Sequence, residues 1–290
     1  MQTQVLIQYF FPLALGVIMA GLGLSLSWAD FKRVLQFPKA VVVGLGCQLL
    51  FLPLVCFVLV KVARVEPAIA VGFMLLAASP GGVTANLFSH LFAGDVALNI
   101  TLTAVNSVLS ALTLPLILSW SLAHLMGEGR FVPLDFSKFV QIIGIVVVPV
   151  GLGMGINKVF PHFASRTVGV VKVISSLFLL VLIAVAITKE FDTLAKYFNQ
   201  IWVVALAFNF ISLFSGYWLG RIFRLQRDQS IAIAMEVGVH NTGLAATIAA
   251  SPLLLNDMVM AIPAAIYTVS MYFAATGFGL WMRRTPKRVG

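Results

Sequence analysis

The chain has 290 residues, 60% of them hydrophobic and 10% charged, with a mean hydropathy of +1.03, whereas about a quarter of the residues in a soluble domain are charged. That composition excludes an ordinary soluble enzyme. It also removes the need for a nucleic-acid partner, because a net charge of +9 on such a chain is topology signal and attraction to anionic lipid. The apolar residues come in runs of about 20, the length of a membrane-crossing helix, and lack the ~10-residue alternation of a membrane barrel.

These runs predict an all-α polytopic membrane protein of about nine transmembrane helices, at 5–27, 40–60, 68–91, 96–125, 139–156, 167–188, 201–219, 231–255 and 258–281. Connections are short, so 1–290 reads as a single transmembrane domain. The first run has no basic leader and is followed by the basic stretch "DFKR", which makes it a true span and not a cleaved signal. Lys32, Arg33, Lys39, Lys158, Arg166, Arg221, Arg224, Arg227, Arg283, Arg284, Lys287 and Arg288 fall on one side of the membrane. Lys61, Arg64, Arg130, Lys138, Lys189 and Lys196 fall on the other. The richer side is cytoplasmic by the positive-inside rule, so the N-terminus is expected outside and the C-terminus in the cytoplasm.

In chain order, the second span carries Gln48 in "LGCQLLFLP", between Cys47 and Cys56, which read as buried thiols packing as small hydrophobes. The third, "FMLLAASPGGVTANLFSHL", should break near its middle, because Pro80 removes a backbone donor and Gly81 and Gly82 accept almost any backbone angle. The fourth places Asn99, Thr103, Asn106 and Ser110 on one helical face. Asn99 and Thr103 offer oxygens to a hard cation, while Asn106 and Ser110 read as glue between helices. The seventh bears Asn209 in "LAFNFISLF".

The eighth span contains "EVGVHNTG", and Glu236 is the one carboxylate among ten acids to fall inside a span. A charge there costs at least about 2.5 kcal/mol on insertion scales and marks function by default. A neutral glutamate, or one paired with His240, is the structural alternative. Each half of the chain thus offers an amide-bearing helix followed by an interrupted one. The two interrupted spans run in opposite directions, which is the arrangement of an inverted-repeat transporter with its binding site at the breaks. Repeat one covers about 1–125 and lacks its first helix, and repeat two covers about 137–282. A channel would not need two interrupted helices. An intramembrane enzyme would need a second carboxylate or a nucleophile beside a base, and neither is placed near Glu236.

"SPGGVTAN" together with "EVGVHNTGLA", Gln48, Asn99 and Thr103 resembles the bile acid:sodium symporter family, in a bacterial form, across essentially the whole chain. The resemblance implies a core and a panel domain, two broken helices that cross, and sodium bound behind the crossing. A first sodium ion would be held by Asn86, Asn99, Thr103 and Glu236. A second would be held by Gln48, Glu236, the carbonyls of Val237 and Val239, and the side chain of His240. Thr84, Asn86 and Asn241 would face an organic-anion substrate, bile acid-like or a small carboxylate such as pantoate, carried by alternating access in the plasma membrane, here a bacterial inner membrane. Two positions depart from the family pattern: His240 replaces the usual glutamine and Ala85 a common serine. Imidazole nitrogen suits protons better than sodium. The resemblance therefore leaves one or two sodium ions open, with proton-coupled or uncoupled transport by Glu236 and His240 as the alternative.

Overall fold

The computed structural model describes residues 2–127 and 136–284, so Glu128, Arg130, Asp135, Lys287 and Arg288 lie outside the described residues. All regular elements among them are helical, with one isolated antiparallel bridge between Gly81 and His240. In chain order they are α1 (Gln2–Leu24), α2 (Trp28–Lys32), α3 (Pro38–Gly46), a π turn (Cys47–Phe51), α4 (Leu52–Val62), α5 (Pro67–Ala78) and α6 (Val83–Leu91). Then follow α7 (Val96–Leu125), α8 (Phe136–Val159), α9 (Pro161–Lys189), α10 (Phe191–Ile222), α11 (Arg227–Gly238), α12 (Thr242–Ala250) and α13 (Ile262–Arg284).

By length and composition 6 of these helices can cross a membrane, and a seventh is counted if Pro12–Leu24 and Trp28–Leu35, bent by 66°, form one span. This is a multi-pass membrane protein. The spans at 68–91 and 231–255 are interrupted, as their sequences predict. Each is a pair of short ones, α5 with α6 and α11 with α12. A helix of 12 residues reaches about 18 Å, well short of a hydrocarbon core of about 30 Å. Helices α9 and α10 begin earlier than the sequence suggested, because 161–166 and 191–200 stay helical after their hydropathy has fallen.

The broken pairs occupy the centre. Every residue of α5 from Ala68 to Ala78 and of α11 from Ser230 to Gly238 is buried. Helices α7, α10 and α13 enclose them, whereas α1, α8 and α9 pack mainly on one another. In the most apolar window of α9 only 11% of residues are buried, against 61% for α13, so α9 presents its apolar side chains to the membrane.

The turns around the two broken pairs correspond. The helix bearing Gln48 ends at Arg64, which has φ 50°, and Glu66 then caps α5 through the N–H of Ile69. The helix bearing Asn209 ends at Arg224, φ 56°, and Gln226 then forms the cap of α11. Beyond the breaks, Ala93 (φ 59°) precedes Asp95, which caps α7, and Asn256 (φ 52°) precedes Asp257, which accepts from the N–H groups of Val259 and Met260.

Candidate functional site

The first break begins at Ser79, where Pro80 cannot continue the helical ladder. Its freed carbonyls need donors. Gln48 supplies them, its Nε2 lying 2.9 Å from the Ser79 oxygen and 3.4 Å from the Ala77 oxygen. Gln48 stands in the π turn, a widened turn that contains Leu49, whose carbonyl the ring of Pro53 four residues later would clash with in a regular helix.

The second break contains no proline. After Gly238, Val239 adopts φ −111° and ψ 84°, and α12 restarts at Thr242 with Asn241 as cap, its Oδ1 accepting from the N–H of Leu244 at 3.0 Å. The hydroxyl of Tyr267 on α13 donates to the Gly238 carbonyl at 3.1 Å. At the crossing the breaks satisfy each other: Gly82 N–H donates to Val239 O at 2.8 Å and Asn241 N–H donates to Pro80 O at 2.9 Å. Broken backbone at membrane depth is tolerated only when paired in this manner or facing a cavity.

Glu236 lies on α11 just before its break and is 1% exposed. Thr103 Oγ1 donates to its Oε2 at 2.6 Å, Asn106 Nδ2 approaches Oε1 at 3.4 Å, and the backbone N–H of Gly81 also points to it. No ion pair to Glu236 occurs among the described residues; the pair found is Arg33 with Asp30 at 2.5 Å. A buried carboxylate held only by neutral donors leaves its charge uncompensated.

The amides of Gln48, Asn99 and Asn106 each spend their NH₂ on a neighbouring oxygen. Asn99 donates Nδ2 to the Ala232 carbonyl at 2.7 Å, and flipping this amide, or that of Gln48, would set oxygen against oxygen. Their oxygens are thereby turned away from donors. Gln48 Oε1, Asn86 Oδ1, Asn99 Oδ1 and Asn106 Oδ1 are all buried without a hydrogen-bond partner, and buried acceptors are rarely left so. The Val237 carbonyl has lost its helical donor as well, since Asn241 N–H goes to Pro80. Val239 O is engaged by Gly82 but keeps a second lone pair. Thr103 and Asn106 reach the Glu236 carboxylate itself, while Gln48 and Asn99 are tied to carbonyls of the two broken helices; neutral oxygens and a carboxylate are the donor types a hard cation takes.

His240 is buried, but no hydrogen bond or ion pair joins it to Glu236 among the described residues. In an unbroken helix the two would share a face. The break turns the imidazole toward Tyr267, with Nδ1 3.0 Å from the phenol oxygen, and against Phe208, ring centroids 5.5 Å apart. Thr84, on the first turn of α6, is half-buried, and Asn241 spends its carbonyl oxygen on capping α12, which leaves its NH₂ for any ligand.

Residues 12–197 match the sodium bile acid symporter family. The chain belongs to that family. It is 27% identical over 267 residues to the uncharacterized sodium-dependent transporter YocS of Bacillus subtilis, covering 91% of this chain and 79% of that one. It is 28% identical over 273 residues to the ileal sodium/bile acid cotransporter of Mus musculus, covering 92% and 77%. Against the probable sodium/metabolite cotransporter BASS2, chloroplastic, of Oryza sativa it is 26% identical over 275 residues, spanning 64% of that protein's length. The family is one of sodium symporters, not of enzymes.

Within this symporter some contacts escaped the sequence reading. Asn106, read as glue between helices, faces Glu236, and its position three residues after Thr103 on the same helical face was the available signal. Gly81 was read for its freedom at a turn, yet a Cβ there would collide with the Glu236 carboxylate, whereas one at Gly82 would meet the His240 carbonyl at 3.3 Å. The π turn under Gln48 and the role of Tyr267 had no sequence signal beyond Pro53 and one of two phenols in an apolar run.

Proposed function

We propose that this chain couples inward sodium movement to uptake of an organic anion by alternating access, with Glu236 as the charge centre of its sodium site. The observation that carries this reading is Glu236 itself, buried, without an ion pair, and accompanied by buried amide oxygens that have no donor. Asn86, Asn99 and Thr103 with Glu236 form the first sodium site. Gln48, Glu236, the carbonyls of Val237 and Val239, and His240 form the second. Sodium bound there neutralises the carboxylate and fills the orphaned lone pairs, so the crossing is held in one arrangement only while the ion is present. The half-helices α6 and α12 begin at the crossing, and their N-terminal N–H groups favour a negative ligand. Thr84, Asn86 and the Asn241 amide face the carboxylate of the substrate, which is bile acid-like or a smaller organic acid.

The corresponding turns at Arg64 and Arg224, and at Ala93 and Asn256, support a two-repeat plan with nine crossings, the first repeat being one helix short. Helices α1, α8 and α9, which pack chiefly together, serve as the panel that rocks against the broken core. Lys and Arg distribution supports an outside N-terminus and a cytoplasmic C-terminus in a bacterial inner membrane. Uptake of radiolabelled taurocholate and of pantoate into proteoliposomes, with sodium and proton gradients imposed separately, tests the reading. Accumulation of an anion driven by sodium alone is expected, and accumulation driven by a proton gradient in sodium-free buffer would overturn it.

A further inference from the structure

An amide at position 240 could rotate to present its oxygen, but an imidazole presents a lone pair at Nε2 only when the ring hydrogen sits on Nδ1. A histidine ligand therefore needs a partner that holds the tautomer. The Gly238 carbonyl has lost its helical donor, because Thr242 N–H bonds to His240 O. Tyr267 provides a replacement at 3.1 Å. A phenol has one hydrogen, so with that hydrogen given to Gly238 its oxygen can only accept from His240 Nδ1 at 3.0 Å. The reverse arrangement, with the phenol hydrogen on Nδ1, would leave the Gly238 carbonyl without its replacement donor, so the pairing that satisfies both groups is the Nδ1–H form. Its Nε2 is a bare acceptor, buried in a 1% exposed side chain with no hydrogen-bond partner. Tyr267 is fully buried, and the rings of Phe208 and Tyr267 pack against the imidazole with centroids at 5.5 and 5.3 Å.

We propose that Tyr267 is a positioning residue that fixes the tautomer of His240 so that the Nε2 lone pair serves as a nitrogen ligand for a sodium ion at the second break. This rests on the sodium reading of the site. The hydroxyl acts through His240 and touches no ion, and the resulting site mixes one nitrogen with carbonyl oxygens.

The tautomer and the ligand role can be read separately from nitrogen-15 spectra of histidine-labelled protein in detergent at alkaline pH. The chain has 4 histidines, and the signals missing in His240→Gln identify those of His240. Without sodium, a single Nδ1–H tautomer is expected; an Nε2–H tautomer would overturn the lock while leaving the sodium reading standing. On titration with sodium chloride, but not potassium chloride, the Nε2 signal is expected to shift, and an unmoved signal would overturn the ligand role. Tyr267→Phe keeps the ring and removes the hydroxyl. It is expected to mix the tautomers and to weaken sodium binding about fivefold, the scale of one hydrogen bond. In the His240→Gln background the same change still removes the donor to the Gly238 carbonyl, but should weaken sodium binding clearly less than in the parent. Equal weakening in both backgrounds would show that Tyr267 merely supports the fold.

Discussion

The two breaks that meet at the crossing are built in different ways. The first is written into the backbone: Pro80 removes a ladder donor and Gly81-Gly82 weaken the helix, while Gln48 satisfies the carbonyls this frees. The second, Gly238-Val239-His240-Asn241, has no proline and is held open by side chains, with Tyr267 on the Gly238 carbonyl, Asn241 capping α12, and Thr268 Oγ1 donating to Thr242 Oγ1 at 2.8 Å. A proline break is fixed. One maintained by hydrogen bonds responds to what binds beside it, and the membrane-embedded carboxylate stands on this second helix.

The contrast is broken most severely at Glu236. Glu236→Gln keeps the shape and removes the charge, so sodium-driven uptake in proteoliposomes should fall by at least about a hundredfold, the scale of losing a buried charge partner, with expression and helical circular dichroism unchanged. Gly81→Ala comes next. Its Cβ would occupy space taken by the Glu236 carboxylate, and sodium-dependent uptake should fall by more than tenfold, or about 1.4 kcal/mol or more. Gly82→Ala, whose Cβ meets the His240 carbonyl at 3.3 Å, should stay within a few-fold of the parent. Equal losses in the two alanine variants would show that the first break acts as a loose hinge and not as a surface fitted to Glu236.

Smaller effects separate the donors to that carboxylate. Thr103→Val removes a 2.6 Å bond and should weaken sodium binding about tenfold, while Asn106→Ala removes a 3.4 Å contact and should weaken it about threefold. Both are read by titrating sodium against thermal stability. At Gln48→Met the Ala77 and Ser79 carbonyls lose their donor, so unfolding stability should drop by about 1–3 kcal/mol, and loss of the proposed second-site oxygen should show in the sodium dependence of uptake per folded protein.

The sequence made the first break legible because proline and glycine act locally, and it made Glu236 legible because a charge in an apolar run is conspicuous. Asn99 and Thr103 followed from helical spacing. The Gly81 contact with Glu236 was hidden, since 155 positions of chain separate partners that only the crossing brings together. Asn106 and Ser110 look alike in sequence, and only packing turns the former toward Glu236 while Ser110 bonds back to the Ser107 carbonyl at 3.1 Å. The separation of His240 from Glu236 was likewise invisible, because four-residue spacing pairs them in a helix and the break undoes it. Helix ends at 161–166 and 191–200 were missed because hydropathy marks the membrane and not the helix.

The central claim is that a sodium ion completes the charge and coordination of the Glu236 site, and equilibrium stability addresses it without a known substrate. Purified protein would be melted in rising sodium chloride at constant ionic strength, balanced with potassium chloride. A ligand bound to the folded state raises stability by about RT ln(1 + [L]/Kd), so the melting temperature should climb with the logarithm of sodium concentration in the parent and stay level in Glu236→Gln. A parent protein equally stable in sodium and potassium, or a Glu236→Gln variant with the same sodium response as the parent, would mean that sodium does not bind at this carboxylate.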